Sequence, residues 1–205
     1  MLLDYIKENY KPGEPILLQN IRLDMKYDNL CQQIKKLVDE GRLCRFMDGV
    51  YYLPKKTVSG IPYTLNADTV AELKYLSNKT DSYGCYGGHT LANIMGLSEQ
   101  VPQVKEIVSN NTSAITRKVK VDKFSYIVRK SPVTITKENV KTVMLLEVLK
   151  DLDNLSDSHI DTSDCLKNFI SKNKIKKSMV DKLIPCYPLR TYKAIYDMEL
   201  VNAFA

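Results

Sequence analysis

The stretch "GRLCRFMDGVYYLP", residues 41–54, decides how the first third of this chain is read. Two β-prone runs, Arg42–Met47 and Val50–Leu53, flank the dipeptide Asp48-Gly49. Both link residues tolerate positive φ, so a two-residue Asp-Gly connection predicts a tight antiparallel hairpin. Gly41 stands where a helix end commonly places a left-handed residue. Just upstream, "KYDNLCQQIKKLVDEG" sets Leu30, Ile34, Leu37 and Val38 on one face, which predicts an amphipathic helix over 26–40.

Further toward the N-terminus, Leu2, Leu3, Ile6 and Tyr10 fall at helical spacing before "KPGEP", residues 11–15, breaks the run. The apolar segment Ile16–Ile21 predicts a second, brief helix. Helix, short helix, turn, longer helix and two-stranded ribbon, in that order, spell a winged helix-turn-helix, expected over residues 1–57. No single piece is specific; the order carries the inference.

Lys55–Asn66 reads as a linker or crossing segment, after which Asn66 or Asp68 is placed to cap a helix to about Leu76. Tyr83–Tyr86 reads as a short strand and the residues from about Thr90 to Gly96 as a helix. "KEIVSN", "AITRKVKV" and "FSYIVRK" alternate like strands, with Asn110-Asn111 and Asp122-Lys123 supplying the turns. From Thr136 the period is helical again: a strongly apolar helix to near Asp153, then helices over about 163–172, 176–184 and 188–203. The fold class expected is α+β: a winged helix-turn-helix, then a mixed α/β domain over 58–205. Helices and antiparallel strands fill that domain to about 135, and helices alone from about 137.

Composition narrows the function classes. Hydrophobic content of 44% and charged content of 26% are those of a globular protein, and a net charge of +6 is compatible with an anionic partner. There is no apolar run long enough to span a membrane, and "MLLDYIKENYK" turns acidic too soon for a signal peptide. Five cysteines, at 31, 44, 85, 165 and 186, lack zinc-site spacing and read as reduced thiols of a cytoplasmic protein.

With its apolar stripe inward, the 26–40 helix presents Asn29, Gln32, Gln33 and Lys36 outward, flanked by Tyr27 and Lys35. Asn and Gln suit paired hydrogen bonds to adenine, and Lys suits guanine edges or phosphate. Arg42 and Arg45 on the ribbon are placed to contact phosphate or the minor groove. The plainer alternative is a solvated helix face and an edge strand guarded by charge. Residues 1–60 carry ten basic against eight acidic side chains, which predicts modest affinity and paired sites. Two denser basic runs lie further on, one with Arg117, Lys118, Lys120, Lys123, Arg129 and Lys130, the other with Lys167, Lys172, Lys174, Lys176, Lys177 and Lys182. Each suits a nucleic acid or an acidic partner, or is a solvated face.

Catalysis finds little support. His89 follows Cys85 by four residues, a lone pair that reads more simply as structural. "GCYGGHTLANIMG" lacks the Lys-Ser/Thr ending of a phosphate loop and the dinucleotide glycine spacing. No cofactor and no metal are expected.

Three features together resemble the AbiEi-like antitoxins of bacterial abortive-infection, type IV toxin–antitoxin systems. They are "LVDEGRLCRFMDGVYYLPKK", "GGHTLANIMGLSEQVP" and the β-rich stretch that follows, and the likeness covers roughly residues 1–150. The resemblance implies a cytoplasmic, non-enzymatic phage-defence protein whose winged helix binds inverted repeats in its own promoter and represses transcription. It also implies a C-terminal part that counters a cognate nucleotidyltransferase toxin, directly or indirectly. Carried onto this chain, DNA contact falls to the 26–40 helix and the 42–53 ribbon, on a protein monomeric in solution or pairing on DNA. The alternatives are a stand-alone winged-helix regulator with a ligand- or protein-binding C-terminal domain, a nucleic-acid-modifying enzyme using His89 and Cys85, and an interaction protein that never touches DNA.

Overall fold

The computed structural model describes residues 2–204. The chain is mixed α and β, and its backbone divides into two compact units. One comprises the chain up to Lys74 with Val121–Lys123, the other Tyr75–Lys120 with the chain from Phe124 onward. The expected 57/58 boundary falls inside the first unit.

In the first unit, helix α1 (Leu2–Asn9) is followed by strand β1 (Ile16–Leu17), helix α2 (Tyr27–Asp39) and the strands β2 (Cys44–Met47) and β3 (Val50–Tyr52). The strands form one antiparallel sheet in the order β1-β3-β2. Asp48-Gly49 makes the expected hairpin turn, with Gly49 at φ +73°, and Gly41 follows α2 at φ +68°. The buried stripe of α2 is Leu30, Ile34 and Leu37, packed with Leu2, Leu3, Ile6, Ile16 and Leu43.

One expectation is corrected here. Ile16–Ile21 is not a helix: Ile16 and Leu17 pair with Tyr51 and Val50, and a single 3-10 turn over Leu18–Asn20 follows. Pairing with β3 buries both side chains and satisfies backbone groups that a helix this short would leave open. Lys55–Asn66, expected as a linker or crossing segment, is held in place by its own hydrogen bonds and by the ribbon. Tyr63 N donates to Lys55 O, the Tyr52 hydroxyl donates to Tyr63 O at 3.1 Å, and the two rings meet edge to face. Asn66 then caps helix α3 (Ala67–Tyr75), its Oδ1 accepting from Asp68 N at 2.7 Å.

The second unit orders strands β4 (Gly84–Gly87), β5 (Lys105–Ser109), β6 (Thr116–Val121) and β7 (Phe124–Lys130) as β4-β5-β7-β6. Helix α4 (Gly88–Ile94) follows β4 directly. The expected antiparallel arrangement is corrected: β5 pairs with β4 antiparallel but with β7 parallel, and β6 lies outside β7 at the edge. Asn110-Asn111 is therefore not a hairpin turn. Asn110 instead ties the end of β5 to a distant segment, donating to Ile135 O at 2.8 Å and accepting from Ile135 N at 2.9 Å. Asp122-Lys123 does turn β6 into β7, with Asp122 at φ 54°.

Helix α5 (Val140–Leu149) is buried at every position from Thr142 to Leu149. It is shorter than expected, because the chain turns at Lys150 and resumes as α6 (Leu152–Leu155). Three helices complete the unit: α7 (Thr162–Asn173), α8 (Lys177–Leu183) and α9 (Leu189–Asp197). The last ends before 203 because Glu199 turns left-handed, at φ 52°, into a 3-10 turn. A helix buried on every side from Thr142 to Leu149 must be enclosed, and α5 is in contact with β4, α4, α7, α8 and α9. No helix among the described residues is long and apolar enough to cross a membrane.

Candidate nucleic-acid interface

The helical period that buries Leu30, Ile34 and Leu37 turns Asn29, Gln32, Lys35 and Lys36 outward, and all four are exposed. Asp28 and Asp39 share that face, so its two lysines are matched by two carboxylates. Gln33 sits nearer the buried stripe, half-buried, donating from Nε2 to Asn29 Oδ1 at 3.2 Å. It lines a groove of about 270 Å³ with Leu2, Lys36 and Arg42, so it belongs to the flank of the helix rather than its outermost row. Tyr27 is 66% exposed at the first position of α2. Its phenol is held above the ordinary value, first by a hydrogen bond with Cys31 and then by that thiol's charge.

The basic side chains here are engaged with acids. Lys36 Nζ lies 3.9 Å from Glu40, Arg42 lies 3.5 Å from the same carboxylate, and Arg45 pairs with Asp48 across the hairpin turn. All three pairs are exposed, so each is worth little and exchanges easily for a phosphate. Helix and ribbon thus offer amides and exchangeable cations on adjoining elements of one unit.

The two denser basic runs lie apart in sequence and in structural role. Arg117, Lys118 and Lys120 are exposed on edge strand β6, with Arg117 over the Tyr75 ring at 6.0 Å. Lys123 is exposed at the β6–β7 turn. Lys174, Lys176 and Lys177 occupy the joint between α7 and α8, where Lys174 is left-handed at φ 49° and Lys177 pairs with Asp181 at 2.8 Å. Charged side chains on an open edge strand also discourage pairing with other chains.

A buried ionic group of the second unit joins Arg129, from the first basic run, to Glu106, Glu147 and Lys150, which were not expected as site residues. Glu147, within the buried run of α5, has a side chain with no exposed surface and accepts from Lys150 Nζ at 2.5 Å and from an Arg129 terminal nitrogen at 3.2 Å. Arg129, on β7, donates from Nε to Glu106 on β5. Burial disfavours its charge, but Glu147 and then Glu106 outweigh that and raise its pKa. The glycines of "CYGGH" make room for this group: a Cβ on Gly88 would lie 2.5 Å from Glu106 Oε2, and Gly88 holds φ +51°. Local sequence offered one signal, a single carboxylate inside the apolar run 143–149.

Cys85 is buried nearby, its thiol pushed up to about 12 by burial first and by Glu147 second. It is therefore a protonated, shielded thiol at neutral pH. The Tyr187 hydroxyl, buried beside Glu147, is also raised, by burial and then by that carboxylate. His89 Nδ1 is buried without a hydrogen-bond partner among the described residues. Among the described residues, no three His, Cys, Asp or Glu side chains gather as metal ligands do.

No curated protein matches this sequence. One family model does, over residues 2–178, which spans the sheet and α2 of the first unit and the sheet, ionic cluster and α5 of the second. The chain belongs to that family, described as a family of unknown function (DUF6088).

Proposed function

We propose that the first unit is a winged helix-turn-helix that binds double-stranded DNA, and that the protein is a cytoplasmic antitoxin repressing its own promoter. The observation that carries the DNA half is the pairing of α2 with its ribbon. An amphipathic helix with Asn29, Gln32, Lys35 and Lys36 outward runs directly into a two-stranded hairpin bearing Arg42 and Arg45. The order α1, β1, 3-10 turn, α2, β2, β3 and the sheet order β1-β3-β2 support the winged assignment. In this reading α2 enters the major groove with Gln32 outermost, and the ribbon lies against the backbone. Asp28 and Asp39 on the same face keep affinity per copy low, so inverted repeats and two copies supply the strength. The antitoxin half rests on the resemblance over residues 1–150, with a neighbouring nucleotidyltransferase toxin as the partner.

Fluorescence anisotropy on the DNA upstream of the protein's own gene, beside a scrambled duplex, tests the first half. Selective binding lost on changing Gln32, Gln33 and Arg45 to Ala supports it, and equal, weak binding to both duplexes overturns it. Co-expression with the neighbouring toxin tests the second: restored growth supports an antitoxin. Growth arrest unchanged by the co-expressed protein leaves the stand-alone regulator as the better reading.

A further inference from the structure

We propose that the second unit binds a small polyanion bearing phosphoryl groups, in the cleft at the edge of the Glu147 cluster. The cleft has a volume of about 590 Å³, within the range of small-molecule sites. Arg129, Lys130, Lys150 and Arg190 line it, against Asp151 as the one lining carboxylate.

Burying an ion group of this kind costs about as much in desolvation as the attraction returns, so stability alone is a weak reason for it. What it does achieve is position. Glu147 holds Lys150 and Arg129, whose side chains are only 14% and 23% exposed, at the cleft wall. Their donors are not exhausted. Arg129 uses Nε and one terminal nitrogen on Glu106 and Glu147, Lys150 uses its ammonium on Glu147, and Arg190 uses one nitrogen on Asp151 at 2.6 Å. An arginine carries five N–H groups and a lysine three, so most remain for a ligand. Lys130, on the exposed rim, has no ion pair among the described residues.

One further feature suits a phosphoryl group. Helix α9 begins at the cleft after Pro188, with no side-chain cap, which leaves its first N–H groups open to an anion. Tyr187, 6% exposed, backs the same cleft with its hydroxyl turned inward beside Glu147, so its ring adds apolar wall rather than a donor. Guanidinium forks beside an ammonium give bidentate, charge-assisted contacts to phosphoryl oxygens. Ile115, Pro132 and Pro188 add apolar wall for an organic portion, which makes a nucleotide-sized ligand the fitting class. This inference does not rest on the DNA reading, since every residue in it belongs to the second unit.

Isothermal titration calorimetry of the full chain with inorganic pyrophosphate and with ATP, near physiological salt, tests it, with citrate as a polyanion lacking phosphorus. Expected is one saturable site for pyrophosphate or ATP, weakened at least about tenfold by Lys130→Gln with Arg190→Gln, since two charge-assisted contacts are lost. The matched pair Lys174→Gln with Lys176→Gln, exposed at the α7–α8 joint, should change it less than about twofold. Ligand should also slow alkylation of Cys186, an exposed thiol lining this cleft. Equal losses in both variant pairs would mean diffuse attraction to a basic chain and overturn the site, as would citrate binding equally well or Cys186 gaining no protection. Loss of duplex-DNA binding in the Lys130/Arg190 variant, without response to pyrophosphate or ATP, would assign the cleft to a nucleic-acid backbone instead.

Discussion

A carboxylate with no exposed surface must be matched by cations, and Glu147 is matched by Arg129 and Lys150. Glu147→Gln keeps the shape but leaves two buried cations short of an anion, so urea unfolding should show a loss of about 3 kcal/mol. A change under about 0.5 kcal/mol would mean the cluster is solvated. Gly88→Ala should cost about 2 kcal/mol in the same assay, because Ala is strained at φ +51° and its Cβ meets Glu106. Gly49→Ala, with nothing within 4 Å of its Cβ, should cost only the backbone strain, about 1 kcal/mol. Cys85 makes a pH prediction. Its folded pKa, about 12, stands above the ordinary 9.0, so the stability it contributes is complete below pH 9 and is lost as pH rises through the folded value. Unfolding free energy should therefore fall between pH 9 and 11, and Cys85→Ala should flatten that fall.

Elements differ in how much of themselves the local sequence reveals. Helix α2 and the β2–β3 hairpin were legible, because a 3.6-residue stripe, a terminal glycine and an Asp-Gly turn are all local signals. Helix α7 is marked in the same way: Asp161 accepts from Asp164 N at 3.0 Å, so Asp161→Ala should lower stability by about 1 kcal/mol in urea unfolding. Strand partners were not legible. "KEIVSN" and "FSYIVRK" read correctly as strands, yet nothing in either says that they pair parallel, with β6 left at the edge. That register depends on Asn110 holding Ile135 and on α4 and α5 covering the sheet, which are contacts distant in sequence. Ile16–Leu17 shows the same limit in small, since two apolar residues fit a helix or a strand until β3 supplies the partner.

At the scale of the whole molecule, charge sets the terms of any encounter with DNA. The net charge of +6 is spread over edge strand β6, the α7–α8 joint and the α2–ribbon region rather than gathered on α2. If α2 and its ribbon contact DNA, changing Lys35 and Arg45 to Gln should reduce the slope of log affinity against log salt by about 2. An unchanged slope would move the phosphate contacts elsewhere. By itself the sequence determined helix α2 with its buried stripe and exposed Asn29, Gln32, Lys35 and Lys36, and the β2–β3 hairpin, since each follows from spacing within one segment. Tertiary structure alone decided the parallel β5–β7 pairing and the gathering of Glu106, Arg129, Glu147 and Lys150 beside a cleft. Those residues come from β5, β7 and the end of α5, and no local pattern encodes a meeting of charges that only packing brings within hydrogen-bond distance.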